Sequence, residues 1–257
     1  MRGNTKTTYE PGSRKTRRNR ASAIPSRPPC LREMLGIGHR GARGHEPENT
    51  LRSVRRALEL GADGIEVDVY FVDGELVVFH DPTLKRTTNG RGRLARKTFA
   101  ELRALDAGKG ERIPTLHEVF VTVNRRAFIN VELKGRGTAE PVANLIREFV
   151  RERGWQFSDF LVSSFHRREL RALAKNEIPL GVLFKRSARR FVKIAAELGA
   201  VAIHPNVRFT KRRLVTRAHK LGLKVFVYTV NKPRQIARMR TLGVDGVFTD
   251  FPERVAM

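Results

Sequence analysis

Along residues 34–257 the apolar positions gather in short runs, separated by stretches in which they recur every three or four residues. The runs are 34–39 (MLGIGH), 63–69, 127–134 (AFINVELK), 159–165 (DFLVSSF), 179–184 (PLGVLF), 200–204, 223–230 (LKVFVYTV) and 245–249. Their brevity and their Val/Ile/Phe content predict strands. A further run, ELVVF at 75–79, follows the second across Asp73-Gly74, a turn pair that predicts an antiparallel hairpin. The intervening 3.6-residue periods predict amphipathic helices, among them 49–60, TLHEVFVTV and 138–152. The first opens at PENT, where Asn49 or Thr50 serves as N-cap, and stops at Gly61. Residues 82–113 are polar, rich in Gly, Lys and Arg, and without a strong period, so they read as an excursion inserted after the second strand. Setting aside the hairpin's returning arm, eight strands each followed by a helix predict an α/β fold: a closed (β/α)8 TIM-type barrel. A doubly wound open sheet is the alternative, which the strand count disfavours.

The second run breaks its own pattern. In GADGIEVDVYFVDGELVVFHD, Glu66 and Asp68 alternate with Ile65, Val67 and Val69, so one face of a buried strand carries two carboxylates. The third run repeats this with Glu132 and Lys134. In a barrel such polar groups gather at the C-terminal strand ends. His39 and Arg40 close the first strand, and His80 ends the returning arm. Lys185 follows the fifth strand, His204 and Asn206 end the sixth, and Tyr228 and Asn231 end the seventh.

Two ionised carboxylates inside a strand repel each other and lose their hydration, so a positive partner is required. Glu66, Asp68 and Glu132 offer hard oxygens suited to one divalent cation, Mg²⁺ or Ca²⁺; pairing with Arg40 and Lys134 alone is the alternative. His39 and His80 are candidates for general acid and base, because imidazole titrates near neutrality. Arg40 offers a planar fork for phosphate and Lys134 a point charge. His45, His117, His166 and His219 fall in a loop or on helices and are read as surface or packing residues; His204 stays open.

Composition adds less. The chain has 257 residues, 40% of them hydrophobic, which is enough for a full barrel core, and a single cysteine, Cys30, excludes a disulfide framework. No apolar run reaches the roughly 18 residues of a membrane span. Lys and Arg outnumber Asp and Glu by 51 to 26, giving +25. Residues 1–33 hold nine basic and two acidic side chains and read as a basic, disordered tail without an apolar leader, leaving +18 on the domain at 34–257. A cytoplasmic location follows by default. The charge favours anionic partners, and a nucleic-acid or anionic-surface protein on a barrel scaffold is the rival reading. Single-strand binding wants aromatic platforms in a basic groove, and 7% aromatics mostly in strands do not supply them. No specific nucleic acid is expected, only weak anionic-surface contact through the tail.

HRGARGHEPENT, GADGIEVDV, LVVFHDPTLKRTTNGRG, INVELK and VYTVN resemble, in order and spacing, the motif series of the glycerophosphodiester phosphodiesterase family. The resemblance covers residues 35–253. It implies a phospholipase-C-like barrel with 82–113 as the family-type insertion. It implies His39 and His80 as the acid/base pair, Glu66, Asp68 and Glu132 as ligands of one divalent ion, and Arg40 as the phosphate ligand with Lys134 nearby. Glu48 would be a polar contact in the active site. The implied reaction is hydrolysis of glycerophosphocholine, glycerophosphoethanolamine or similar diesters to sn-glycerol 3-phosphate and an alcohol. Lysophospholipase D-type action on lipid head groups is a variant, disfavoured by the charged rim. Tyr228 stands where many members have Trp, which bears on the wall that packs the substrate.

Overall fold

The computed structural model describes residues 34–186 and 188–256; the readings made on residues 1–33 lie outside them. Among the described residues there are nine strands and nine α-helices, which alternate except where β3 follows β2 and α3 follows α2. They are β1 (Leu35–Gly38), α1 (Leu51–Glu59), β2 (Gly64–Val72), β3 (Glu75–Val78), α2 (Phe99–Arg103), α3 (Leu116–Val123), β4 (Phe128–Leu133), α4 (Ala139–Glu152), β5 (Phe160–Ser164) and α5 (Arg167–Leu173). Then come β6 (Leu180–Phe184), α6 (Ala188–Glu197), β7 (Ala202–Pro205), α7 (Arg212–His219), β8 (Lys224–Val227), α8 (Pro233–Leu242), β9 (Gly246–Thr249) and α9 (Glu253–Ala256).

Eight of the strands pair in parallel in the order β1-β9-β8-β7-β6-β5-β4-β2, and β1 pairs with β2 to close the ring. The fold is therefore the (β/α)8 barrel expected, and β3 hangs antiparallel on β2 outside the ring. Alternation along the strands divides the core in two. Ile65, Val67, Val69, Ile129, Val131, Val162, Val182, Ile203, Val225 and Val247 join the helices in one large apolar layer. Ile37, Phe128, Leu161, Ala202, Phe226 and Phe248 form a separate cluster inside the barrel. Glu66, Asp68 and Glu132 share the period of that inner set, so they stand above an apolar plug.

Thr50, not Asn49, caps α1 by accepting from the Ser53 amide. Asn49 instead adopts φ 58° and turns its side chain inward. The insertion is more ordered than its sequence suggests. It contains a 3-10 turn at Leu94–Arg96 and α2, whose Thr98 and Glu101 form a reciprocal capping box. Leu84, Leu94, Leu102 and Ile113 bury themselves with Val72, Val77 and Phe79 in a core of their own. No helix among the described residues is long and apolar enough to cross a membrane.

Candidate active site

At the C-terminal end of the barrel lies a cavity of about 380 Å³. His39, Arg40, Glu66, His80, Glu132, Lys134 and Tyr228 line it, together with Asn130, Phe165, Lys185 and Asn206. Parallel register explains the acidic cluster: Asp68 of β2 sits opposite Glu132 of β4, and Glu66 opposite Asn130. One oxygen from each of Glu66, Asp68 and Glu132 lies within 4.8 Å of the others, and all three side chains are buried.

Two cations serve these three carboxylates. Lys134 Nζ donates to Glu132 Oε1 at 2.8 Å and lies 3.5 Å from Asp68 Oδ1. Arg40 Nε faces Asp68 Oδ2 at 3.1 Å without the alignment of a hydrogen bond. Glu66 receives only the backbone N–H of Arg40, at 2.7 Å, which the left-handed φ of 53° at Arg40 directs toward it. Burial, with Asp68 and Glu132 beside it, pushes the Glu66 carboxyl well above its ordinary range. Burial and the Asp68 charge likewise push Glu132 up to about 7. Pairing with Arg40 and Lys134 alone thus leaves one buried negative charge in excess. Three converging hard oxygens with that excess fit a divalent cation of the Mg²⁺ or Ca²⁺ type.

Each histidine is gripped through Nδ1. The His39 Nδ1 lies 2.6 Å from Asp250 Oδ1, and the Asn231 amide donates to the other oxygen of Asp250 at 2.7 Å. Burial lowers the His39 imidazole, against the upward pull of Asp250. His80 Nδ1 pairs with Asp81, and burial again lowers the ring. Because ionised carboxylates only accept, both Nδ1 atoms carry protons and both Nε2 lone pairs stay open to the cavity.

Arg86 from the insertion ties the two sides together. Its Nε donates to Asp81, and its two terminal nitrogens reach both oxygens of Glu48 at 2.8 and 2.7 Å. Arg40 also donates to Glu48 Oε1, at 2.6 Å. Burial would raise Glu48, but the Arg86 hydrogen bonds and the Arg40 charge hold it down at about 2. Glu48 is therefore a fixed anion that aims Arg40. The Asn49 amide donates to Asp68 Oδ2 at 2.9 Å and steadies it from the other side.

Tyr228 follows the end of β8 and donates its hydroxyl to the Phe184 carbonyl at 3.0 Å, standing edge-on to Phe165 in the cavity wall. Lys185 and Asn206 also reach the cavity. Asn231 acts one step back, through Asp250. Asp250, Asp81 and Arg86 escaped the sequence reading; the polar Thr249-Asp250 ending of the last strand is the signal that could have exposed the first. The remaining histidines go where expected: His45 pairs with Glu253, His219 with Asp245, His117 packs on Phe149, and His166 precedes α5. His204 lies fully buried beneath the cavity against Phe226 and Phe248.

A sequence profile of the Glycerophosphoryl diester phosphodiesterase family matches residues 39–254. The chain belongs to this family. A glycerophosphodiester phosphodiesterase from Caldanaerobacter subterraneus subsp. tengcongensis is 38% identical over 85% of this chain and 95% of its own. One from Bacillus altitudinis is 38% identical over the same shares. Among solved structures, an Oleispira antarctica phosphodiesterase in complex with the product sn-glycerol-3-phosphate superimposes with a TM-score of 0.78 at 31% identity, covering 86% of this chain and 94% of that one. The Thermotoga maritima glycerophosphodiester phosphodiesterase gives 0.73 at 31%, covering 85% and 96%. The chain is thus a glycerophosphodiester phosphodiesterase, a phosphodiester hydrolase on a TIM-type barrel.

Proposed function

We propose that the enzyme hydrolyses glycerophosphodiesters with small polar head groups, such as glycerophosphocholine and glycerophosphoethanolamine, with His39 and His80 as its acid/base pair. The observation that carries this reading is the matched pair of imidazoles, each held through Nδ1 by its own carboxylate and each turning Nε2 to the cavity that also holds Arg40 and the acidic triad. The product bound to the Oleispira antarctica relative supports sn-glycerol 3-phosphate as one product here.

Glu66, Asp68 and Glu132 would hold one Mg²⁺ or Ca²⁺, which when bound supplies Lewis-acid neutralisation of a non-bridging phosphate oxygen. Arg40, oriented by Glu48, faces a second non-bridging oxygen and stabilises charge that grows in the transition state. One of the two histidines, neutral, takes the proton of the attacking hydroxyl at its Nε2 lone pair, while the other enters the step as imidazolium, protonated at Nε2 as well as Nδ1, and delivers that Nε2 proton to the leaving alkoxide. Lys134 screens Glu132 and Asp68 and adds positive charge at the cavity floor. Tyr228 and Phe165 form an apolar wall against which the glycerol or head group packs. The charged lining, Lys185 included, favours small polar diesters over action on lipid head groups of the lysophospholipase D type.

The test is turnover of glycerophosphocholine by His39→Ala and His80→Ala, with folding followed by circular dichroism. Each should lose on the order of 10²- to 10⁴-fold in kcat at unchanged ellipticity. Full retained turnover by either variant overturns the assignment. Chelation followed by addition of single ions should abolish activity and restore it with one of Mg²⁺ or Ca²⁺.

A further inference from the structure

From residue 198 to residue 244 the chain contains eleven Lys and Arg and not one Asp or Glu. This stretch builds one edge of the barrel, β7, α7, β8 and α8, and its loops reach the active-site rim through Asn206 and Tyr228. On its outer side is a groove of about 690 Å³ lined by Phe209, Lys211, Arg213, Arg217 and Lys220 among others. Arg213 and Arg217 on α7 and Lys220 at its C-cap recur at i, i+4 and i+7, a spacing that puts them on one side of the helix. Lys211, Arg213, Arg217 and Lys220 have no acidic partner among the described residues; Asp245, the next acid in the sequence, is taken by His219 and Lys224. Phe209 sits at the head of the stripe, three residues beyond Asn206, and leaves 43% of its surface in water.

Uncompensated cations alone would serve to draw in an anionic substrate. An exposed aromatic ring among them does more, because it costs hydration that only an apolar environment recovers. Aliphatic Lys and Arg stems can lie along that environment while their heads stay wet. A flanking apolar residue with a basic stripe is the signature of a surface that rests on anionic lipid. We propose that this edge docks the enzyme on an anionic phospholipid bilayer, with Phe209 entering the headgroup region and the α7 stripe pairing with lipid phosphates. The contact is separate from the catalytic cavity and does not depend on which diester that cavity hydrolyses.

Four full-length proteins decide it, three of them by co-sedimentation with vesicles of phosphatidylcholine alone or with phosphatidylglycerol added. The wild-type chain should bind the mixed vesicles and not the neutral ones. The triple variant Lys211→Glu, Arg213→Glu, Arg217→Glu should bind about a hundredfold more weakly. A charge-matched control, Arg153→Glu, Arg171→Glu, Lys175→Glu, reverses exposed cations elsewhere and should bind much more tightly than the patch variant. In Phe209→Trp, emission from residue 209 should shift to the blue on adding mixed vesicles, over the constant background of buried Trp155. Turnover of glycerophosphocholine should be the same in all. Equal loss in the two triple variants, or no emission shift, overturns the proposal. So does patch-dependent binding to duplex DNA in the absence of vesicle binding, which would make the partner nucleic acid.

Discussion

His39 and His80 were legible as chemistry because they end strands beside acidic groups, whereas what makes them work lies elsewhere in the sequence. Asp250 is 211 positions from His39 and meets it only because closure of the ring sets β9 beside β1. Asp250→Asn replaces an obligate acceptor with an amide and frees the imidazole to change tautomer. Loss of the charge also leaves burial opposed only by the more weakly acting Asp68, so the His39 imidazole moves further down. We expect kcat to fall by about 10²- to 10⁴-fold, and the pH–rate limb that reports His39 to move to lower pH; an unshifted profile with near-normal kcat contradicts this. His204 presents the opposite case, a histidine with no role at the cavity. Neither ring nitrogen has a partner, and burial drives its pKa down to about 3. Between the unfolded value near 6.5 and that folded value, the unfolded chain binds the extra proton, so stability falls as the pH falls through this window. The slope from this one group is about 1.4 kcal/mol per pH unit. Urea titrations at pH 6 and pH 5 should show His204→Leu losing less stability than the wild-type chain by about that amount. Equal losses would count against it.

Elements were readable where they were periodic. The eight barrel strands and the helices between them repeat apolar positions at a spacing fixed by backbone geometry, so their order and the closed barrel follow from pattern alone. The insertion resisted for a physical reason: α2 is five residues long, too short to display a period, and its apolar residues are spaced by polar turns. Leu84, Leu94, Leu102 and Ile113 nevertheless form a closed cluster, and that cluster holds Arg86 where it grips Glu48 and Asp81. Cutting Leu102 back to alanine should cost about 2–5 kcal/mol of packing, borne by the insertion and not by the ring. Limited proteolysis should then cleave within 82–113, and turnover should drop as Arg86 loses its partners, while the unfolding midpoint of the barrel hardly moves. A large fall in that midpoint would show that insertion and ring form a single cooperative unit.

At the scale of the whole molecule, the chain carries 51 basic and 26 acidic side chains, yet concentrates three of its carboxylates where two cations cannot balance them. Positive charge at the surface does little for them, because solvent and salt screen it over about 8 Å. The excess must be met locally, by protons or by a bound cation. Glu66 is the carboxylate without a side-chain cation, so Glu66→Gln removes the surplus charge and leaves the Lys134 and Arg40 contacts in place. Two opposite effects on thermal stability follow near neutral pH. In chelator, Glu66→Gln should melt above the wild-type chain, since desolvation and repulsion at that position are relieved. In Mg²⁺ or Ca²⁺ at about a hundred times its dissociation constant, the wild-type chain should gain about 2.7 kcal/mol and the variant far less, because binding stabilises only a state that holds the ion. The order of the two melting temperatures therefore inverts when cation is added, with no substrate present. If the wild-type midpoint ignores both ions, or if the variant gains as much as the wild-type chain, the acidic cluster is not a cation site.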